Sequence, residues 1–196
     1  MRPSSAASAE FIAAFTELVA RIAVPLAKLP KNVLPIRMYV AGGAAMHLYT
    51  GQRISKDIDA AFSRRITLPE DLEVSYRDAD GAARLLYFDR QYNDSFALMH
   101  EDVHDDSVAL QLKGIDARVL DVRLLSAIDL AISKIARFTS QDRDDILSLA
   151  RNGLVRSGPL RKRAEEAAAG FVGELSRLHA SIELACRLVA DAERRR

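Results

Sequence analysis

The chain is short of cysteine, of long apolar runs and of net charge, and each shortage excludes something. Its single cysteine, Cys186, rules out an intramolecular disulfide and any cysteine-rich zinc site, and fits a reducing cytoplasm. No stretch approaches the roughly 18 consecutive apolar residues that span a bilayer. The N-terminal Met1-Arg2-Pro3-Ser4-Ser5 leads into a polar-faced helical pattern rather than an uninterrupted signal core, so a soluble, cytoplasmic protein with no membrane partner is expected. A net charge of only +1 argues neither for nor against nucleic acid, since local patches can bind where the sum does not. At 196 residues the chain is long enough for one domain with a sizeable core, or for a core domain with a helical appendage.

What is present is concentrated in one stretch. The apolar run from Met38 to Ala41 reads as a buried strand, broken by Gly42-Gly43 and followed by the helix-favouring Ala44, Ala45, Met46 and Leu48. The glycines therefore sit where a strand becomes a helix N-terminus, and unpaired amides with a positive dipole end suit a phosphate there. Gly51 is expected to stop that helix. Beyond it, Asp57 and Asp59 alternate with Ile58. In a strand this puts both carboxylates on one face. Two adjacent like charges are costly unless a cation joins them, and a hard divalent ion such as Mg²⁺ holding phosphate oxygens supplies the reason.

The phrase Gly42-Gly43-Ala-Ala-Met…Arg53-Ile-Ser55-Lys-Asp57-Ile-Asp59 resembles the nucleotidyltransferase-fold signature, and among its bearers the bacterial minimal and abortive-infection (AbiEii/AbiGii-type) nucleotidyltransferases. A second stretch points the same way. Ser126-Ala-Ile-Asp129 begins a helix with a capping serine and a first-turn acid, and Ile128, Ala131, Ile132, Ile135 and Phe138 form its apolar face. Lys134 stands on the flank of that face, and Gln141-Asp142-Arg143-Asp144-Asp145-Ile146 follows. This resembles the third and fourth motifs of the abortive-infection toxin family. The resemblance implies that Lys134 contacts nucleotide phosphates and that Asp145 is an active-site acid. Without it, Asp142 reads as a helix cap.

The resemblance further implies an α/β (α+β) nucleotidyltransferase fold, with a short mixed β-sheet, flanking helices and a C-terminal helical region. Residues 1–34 would be an N-terminal helix packed on the core, 35–124 the nucleotidyltransferase core and 125–196 the helical region. It implies a metal-dependent enzyme that transfers NMP from an NTP to an acceptor hydroxyl, a tRNA 3′ end or a protein, as the toxin of a toxin–antitoxin system with a possible antitoxin partner. Asp57, Asp59 and a third carboxylate would hold two Mg²⁺ ions, while Gly42, Gly43, Arg53, Ser55 and Lys134 bind the nucleotide. Asp121, between Leu120 and Val122, is the choice for that third ligand, with Asp116 as competitor. The chain departs from the pattern at Gly43, where many members carry serine, and Ser55 is the candidate to replace the lost hydroxyl. The alternatives are a non-catalytic binding or sensor module on the same fold, and a small-molecule nucleotidyltransferase.

The remaining segments read as follows. Residues 8–28 are an amphipathic helix through Phe11, Phe15, Leu18, Ile22 and Leu26, closed by Pro30. Leu72–Tyr76 and Ala83–Phe88 are strands joined by a turn at Asp78–Gly81. The stretch from Phe88 to Asp94 either lines a cleft through Arg90, Tyr92 or Asn93 or is a loop tied down by its own side chains. His100–Asp106 lacks the spacing of a metal loop and reads as a solvated acidic segment. Val108–Leu112 and Ala117–Val122 are further strands. The final helices carry an apolar seam, Phe171, Leu175, Leu178, Ile182, Ala185 and Val189, that packs inward or docks an antitoxin or second copy. The clusters Arg161–Arg163 and Arg194–Arg196 are solvated faces or touch an RNA backbone.

Overall fold

Helix α1, Ala9–Leu26, forms where the sequence places its apolar stripe: Phe11, Phe15, Leu18, Ile22 and Leu26 are all buried. Ser8 caps it, accepting the Phe11 N–H on its hydroxyl, and Pro25 falls in the last turn, where the helix closes. Each of these large apolar side chains contributes about 1.5–3 kcal/mol by leaving water. That is ample to hold the helix on the sheet beneath it. The computed structural model describes residues 1–93 and 97–195, so Asp94 of the polar loop and Arg196 of the terminal basic cluster lie outside the described residues.

The chain divides into two units. The first, Met1–Tyr92 with Ser107–Leu124, contains α1 and every strand among the described residues. In chain order these elements are β1 (Ile36–Val40), α2 (Gly42–Thr50), β2 (Asp57–Ile58), β3 (Ala60–Phe62), β4 (Glu73–Arg77), β5 (Ala83–Phe88), β6 (Val108–Ala109) and β7 (Leu120–Leu124). One sheet has the order β3-β1-β7-β6, with β1 and β7 parallel and the outer pairs antiparallel; the other has the order β2-β5-β4, parallel then antiparallel. The expected single strand through Asp57 and Asp59 is thus divided. It pairs with β5 up to Ile58, breaks at Asp59, and pairs with β1 from Ala60, so Asp59 is the residue at which the chain passes from one sheet to the other. The β4–β5 hairpin closes at Asp78–Gly81 as expected, with Gly81 at φ +78°. β6 is short: the Leu110 N–H still donates to the Val122 carbonyl of β7 at 2.7 Å, but the Gln111 N–H turns to the Met1 carbonyl instead.

The second unit, Asn93–Asp106 with Leu125–Arg196, is helical: α3 (Ala127–Ile132), α4 (Ser140–Arg151), α5 (Ser157–Ala168) and α6 (Leu175–Arg194). Its core takes Leu130, Ile135, Ile146, Leu149, Leu160, Leu178, Ile182, Ala185 and Val189. The expected seam from Phe171 is buried only from Leu178 onwards: Phe171 precedes α6 and Leu175 is exposed. α3 is shorter than expected. Lys134 and Ile135 donate to carbonyls three residues back, so the last turns tighten and the helix gives way before Phe138. The His100–Asp106 segment is not wholly solvated: its acids face water, but His100 and Val103 are buried. No described helix is long and apolar enough to cross a membrane.

Candidate active site

Gly42 and Gly43 open α2 directly from the end of β1. The N-cap residue is Ala41, which has no side-chain group to satisfy the first amides. Gly42 has φ +57°, and a Cβ there would overlap the Asp59 carboxylate, meeting its Cγ at 2.7 Å. Glycine is required on both counts. The Asp59 carbonyl accepts from the Ala41 N–H at 2.8 Å, so backbone and side chain alike fix Asp59 against the start of the helix. A Cβ at Gly43 would lie 2.5 Å from Ser55 Oγ and 2.9 Å from Arg53 Nη2. Ser55 is buried, and its hydroxyl donates a short hydrogen bond to Asp57 Oδ1.

The structure therefore brings Gly42, Gly43, Arg53, Ser55, Asp57 and Asp59 to one place, at the first turn of α2. Arg53, with φ +48°, follows a connector that is itself held. His47, buried in α2, donates from Nδ1 to the Gln52 carbonyl at 3.3 Å and accepts the Ser8 N–H on Nε2 at 3.0 Å. Burial lowers its pKa below the usual histidine value, against smaller opposing hydrogen bonds from Gln52 and Arg53, and so favours the neutral ring that this tautomer requires. Gly51 ends the helix in the left-handed conformation, as the sequence suggests.

Asp121 is not brought to this cluster. On β7 it stands opposite Arg37, while Asp59 meets Ala41 beyond the other end of β1. Four residues of strand, roughly 13 Å at about 3.3 Å per residue, intervene. Asp121 instead pairs with Arg123 at 3.1 Å and lies 3.9 Å from Arg37. Asp116 is no closer in kind: hydrogen bonds from Arg118 hold its carboxyl below the usual range, and with Asp121 it lines a cavity of about 890 Å³ beside Leu34 and Pro35, before β1. Strand register, which the sequence does not carry, separates them from the pair.

Register also supplies an acid that sequence patterning passes over. Asp57 is paired with Tyr87 and Ile58 with Phe88; the ladder then continues one step, with the Asp89 N–H donating to the Ile58 carbonyl at 3.0 Å. Asp89 thus follows β5 beside Asp59. Its carboxylate accepts from the Gln91 N–H at 2.8 Å, in a turn of its own. An acid closing the apolar run Leu85-Leu86-Tyr87-Phe88 was the available signal. Among the described residues no three His, Cys, Asp or Glu side chains converge into a ready-made metal group. Neighbouring Arg90 is tied to the loop, donating to the Pro69 and Glu70 carbonyls.

In the second unit, Lys134 and Asp145 are brought to each other. Lys134 Nζ lies 2.7 Å from Asp145 Oδ2, with the side chains only 6% and 7% exposed. Asp142 is a cap, as its position allows: it closes a capping box with Thr139 and accepts two hydrogen bonds from Arg137. A cavity of about 860 Å³ in this unit, lined by His100, Glu101, Asp102, Arg163 and Glu166, contains none of the expected site residues. Arg163 is no solvated cation either, since it bonds the buried Asp129 at 2.9 Å and Asp106 at 2.7 Å.

Chemically, the first-unit cluster offers amides and a guanidinium for phosphate beside a hard, all-oxygen donor set for a divalent cation. The two glycines let Asp59, Ser55 and Arg53 close onto the start of α2, where any side chain at 42 or 43 would displace them. Residues 17–184 match the family model described as "Nucleotidyltransferase of unknown function (DUF6036)". No curated protein and no solved structure matches the chain.

Proposed function

We propose, from the premise that the chain belongs to the nucleotidyltransferases of unknown function (DUF6036), that it transfers NMP from an NTP to an acceptor hydroxyl at the Gly42–Asp59 cluster. The observation that supports this most is the seating of Asp59 on the bare Cα of Gly42, at the uncapped start of α2. Phosphate and carboxylate would otherwise repel, so a site that presents both partners within one turn is built for a cation shared between them.

In this reading the amides of Gly42 and Gly43 and the Arg53 guanidinium hold the β- and γ-phosphates, while the Ser55 hydroxyl, whose proton goes to Asp57, holds that carboxylate beside them. Asp57 and Asp59 would hold Mg²⁺; by backbone register Asp89, beside Asp59, is a nearer candidate for a third ligand than Asp121. When bound, Mg²⁺ supplies neutralisation of the triphosphate and a lower pKa for the acceptor hydroxyl. The acceptor oxygen forms a bond to the α-phosphorus as the bond from that phosphorus to the bridging oxygen breaks; pyrophosphate leaves and the hydroxyl proton passes to solvent. Ser55, donating to Asp57 Oδ1, restrains that carboxylate. The likeness to abortive-infection toxins extends the reading to a tRNA 3′ end or a protein hydroxyl as acceptor, to toxicity relieved by an antitoxin, and to Lys134 and Asp145 as phosphate contact and acid.

The test is transfer from an α-labelled NTP, with Mg²⁺, to total RNA and to lysate protein. Asp57→Ala should abolish labelling while circular dichroism and melting stay close to those of the parent. Labelling that survives the substitution would refute the role given to Asp57.

A further inference from the structure

The segment Asp57–Ile58–Asp59 has different neighbours on its two edges. On one, the Asp59 carbonyl accepts from Ala41 at the foot of α2. On the other, the Lys56 and Ile58 carbonyls accept from Tyr87 and Asp89 at 2.9 and 3.0 Å, so β5 runs there. The phosphate cradle lies on the α2 edge. In an in-line displacement the leaving pyrophosphate and the entering hydroxyl occupy opposite sides of the reacting phosphorus. With pyrophosphate over α2, the acceptor enters over β5.

The face that β5 offers is set by register. Asp57 is opposite Tyr87, and Tyr87 is opposite Glu73, so one row across the sheet reads Asp57–Tyr87–Glu73. The next row pairs Leu85 with Ser75. Ile58, Leu86, Phe88 and Val74 point the other way and are buried, which leaves the row on the outer face. Tyr87 is half-buried and Leu85 is 44% exposed. A ring flanked by an aliphatic side chain is a stacking surface for a planar group. A carboxylate at its edge accepts hydrogen bonds from the exocyclic amine of a base such as cytosine.

Resting on the active-site reading above, we propose that Tyr87 is a positioning residue on the acceptor side. The terminal nucleoside of an RNA strand stacks on it with its ribose hydroxyl towards Asp57, and Glu73 engages an amino group of the base. Terminal adenosine or cytidine is then favoured over uridine.

The chain contains no tryptophan, so Tyr87→Trp places a sole indole at this position. Short single-stranded RNA oligonucleotides ending in A or C should quench its fluorescence more than those ending in U, and a non-hydrolysable Mg·NTP alone should not. In the transfer assay Tyr87→Ala should raise the oligonucleotide KM about tenfold, the scale of one lost stacking contact, with the NTP KM within about twofold and Tyr87→Phe close to the parent. Quenching by the NTP, a matching rise in NTP KM, no quenching by any oligonucleotide, or labelling of protein alone would each overturn the proposal. Calorimetry of Mg·NTP with the parent protein separates the two levels. Binding that depends on Asp57, with Tyr87→Ala unaffected in transfer, sinks only this inference. No binding at all sinks the active-site reading and this one together.

Discussion

Ser55 Oγ occupies the space into which a side chain at position 43 would project, 2.5 Å from where its Cβ would stand. A hydroxyl two residues before Asp57 thus reaches, from the connector, the spot that a serine side chain at position 43 would reach from the helix. Gly43→Ser alone should crowd Ser55 and Arg53, lowering stability by about 1–3 kcal/mol as overpacking does. Ser55→Gly alone should lose the bond to Asp57 and with it transfer activity. The double variant should recover much of both losses, with a coupling energy on the order of 1 kcal/mol or more. Transfer kinetics and urea unfolding of the four proteins measure it, and strictly additive losses would show that the two positions do not trade places. The cluster was legible in the sequence because its parts are local: a glycine break between an apolar run and a helix pattern, then alternating acids. Asp89 was not legible, since its place beside Asp59 depends on which strand pairs with β2.

Elements were legible wherever a single period ran unopposed, as in α1 and the β4–β5 hairpin, and less so where tertiary contacts cut a pattern short. The run from Ser126 to Phe138 keeps helical spacing, yet α3 ends at Ile132 and the chain tightens through Lys134 to reach the cap of α4. That cap carries a prediction. Burial alone would raise the Asp142 pKa, but hydrogen bonds from Arg137 and Thr139 outweigh it and hold the carboxyl down at about 2, against 3.8 in the unfolded chain. A depressed carboxyl stabilises the fold fully above its unfolded pKa and ceases to do so as pH falls through its folded one. The contribution, on the order of 2 kcal/mol, should therefore be present above about pH 4 and fade towards pH 2. Urea unfolding of the parent and of Asp142→Asn should differ by that order at pH 7 and converge towards pH 2. A gap that persists unchanged into acid would mean that the charge is not what Asp142 contributes.

For the molecule as a whole, the part of the helical unit in the chemistry is tested at one place. Its buried Lys134–Asp145 pair is the place to ask, because such pairs need not be present for stability: removing one partner typically costs 3–5 kcal/mol, whereas replacing both by apolar residues is often neutral. Lys134→Ala alone should thus unfold the protein readily and decide nothing. Lys134→Met combined with Asp145→Leu should remain folded and answer the question. Mg·NTP at about a hundredfold over its Kd stabilises a binding protein by about 2.7 kcal/mol, or roughly 5–10 °C in melting temperature at this size. The parent should show that shift, Asp57→Ala should not, and EDTA should remove it. If Lys134 touches the triphosphate, the paired variant should keep its own melting temperature, lose most of the nucleotide-induced shift, and transfer at a small fraction of the parent rate. A paired variant with the parent's shift and rate would confine the chemistry to the Gly42–Asp59 cluster and leave the ion pair a structural strut.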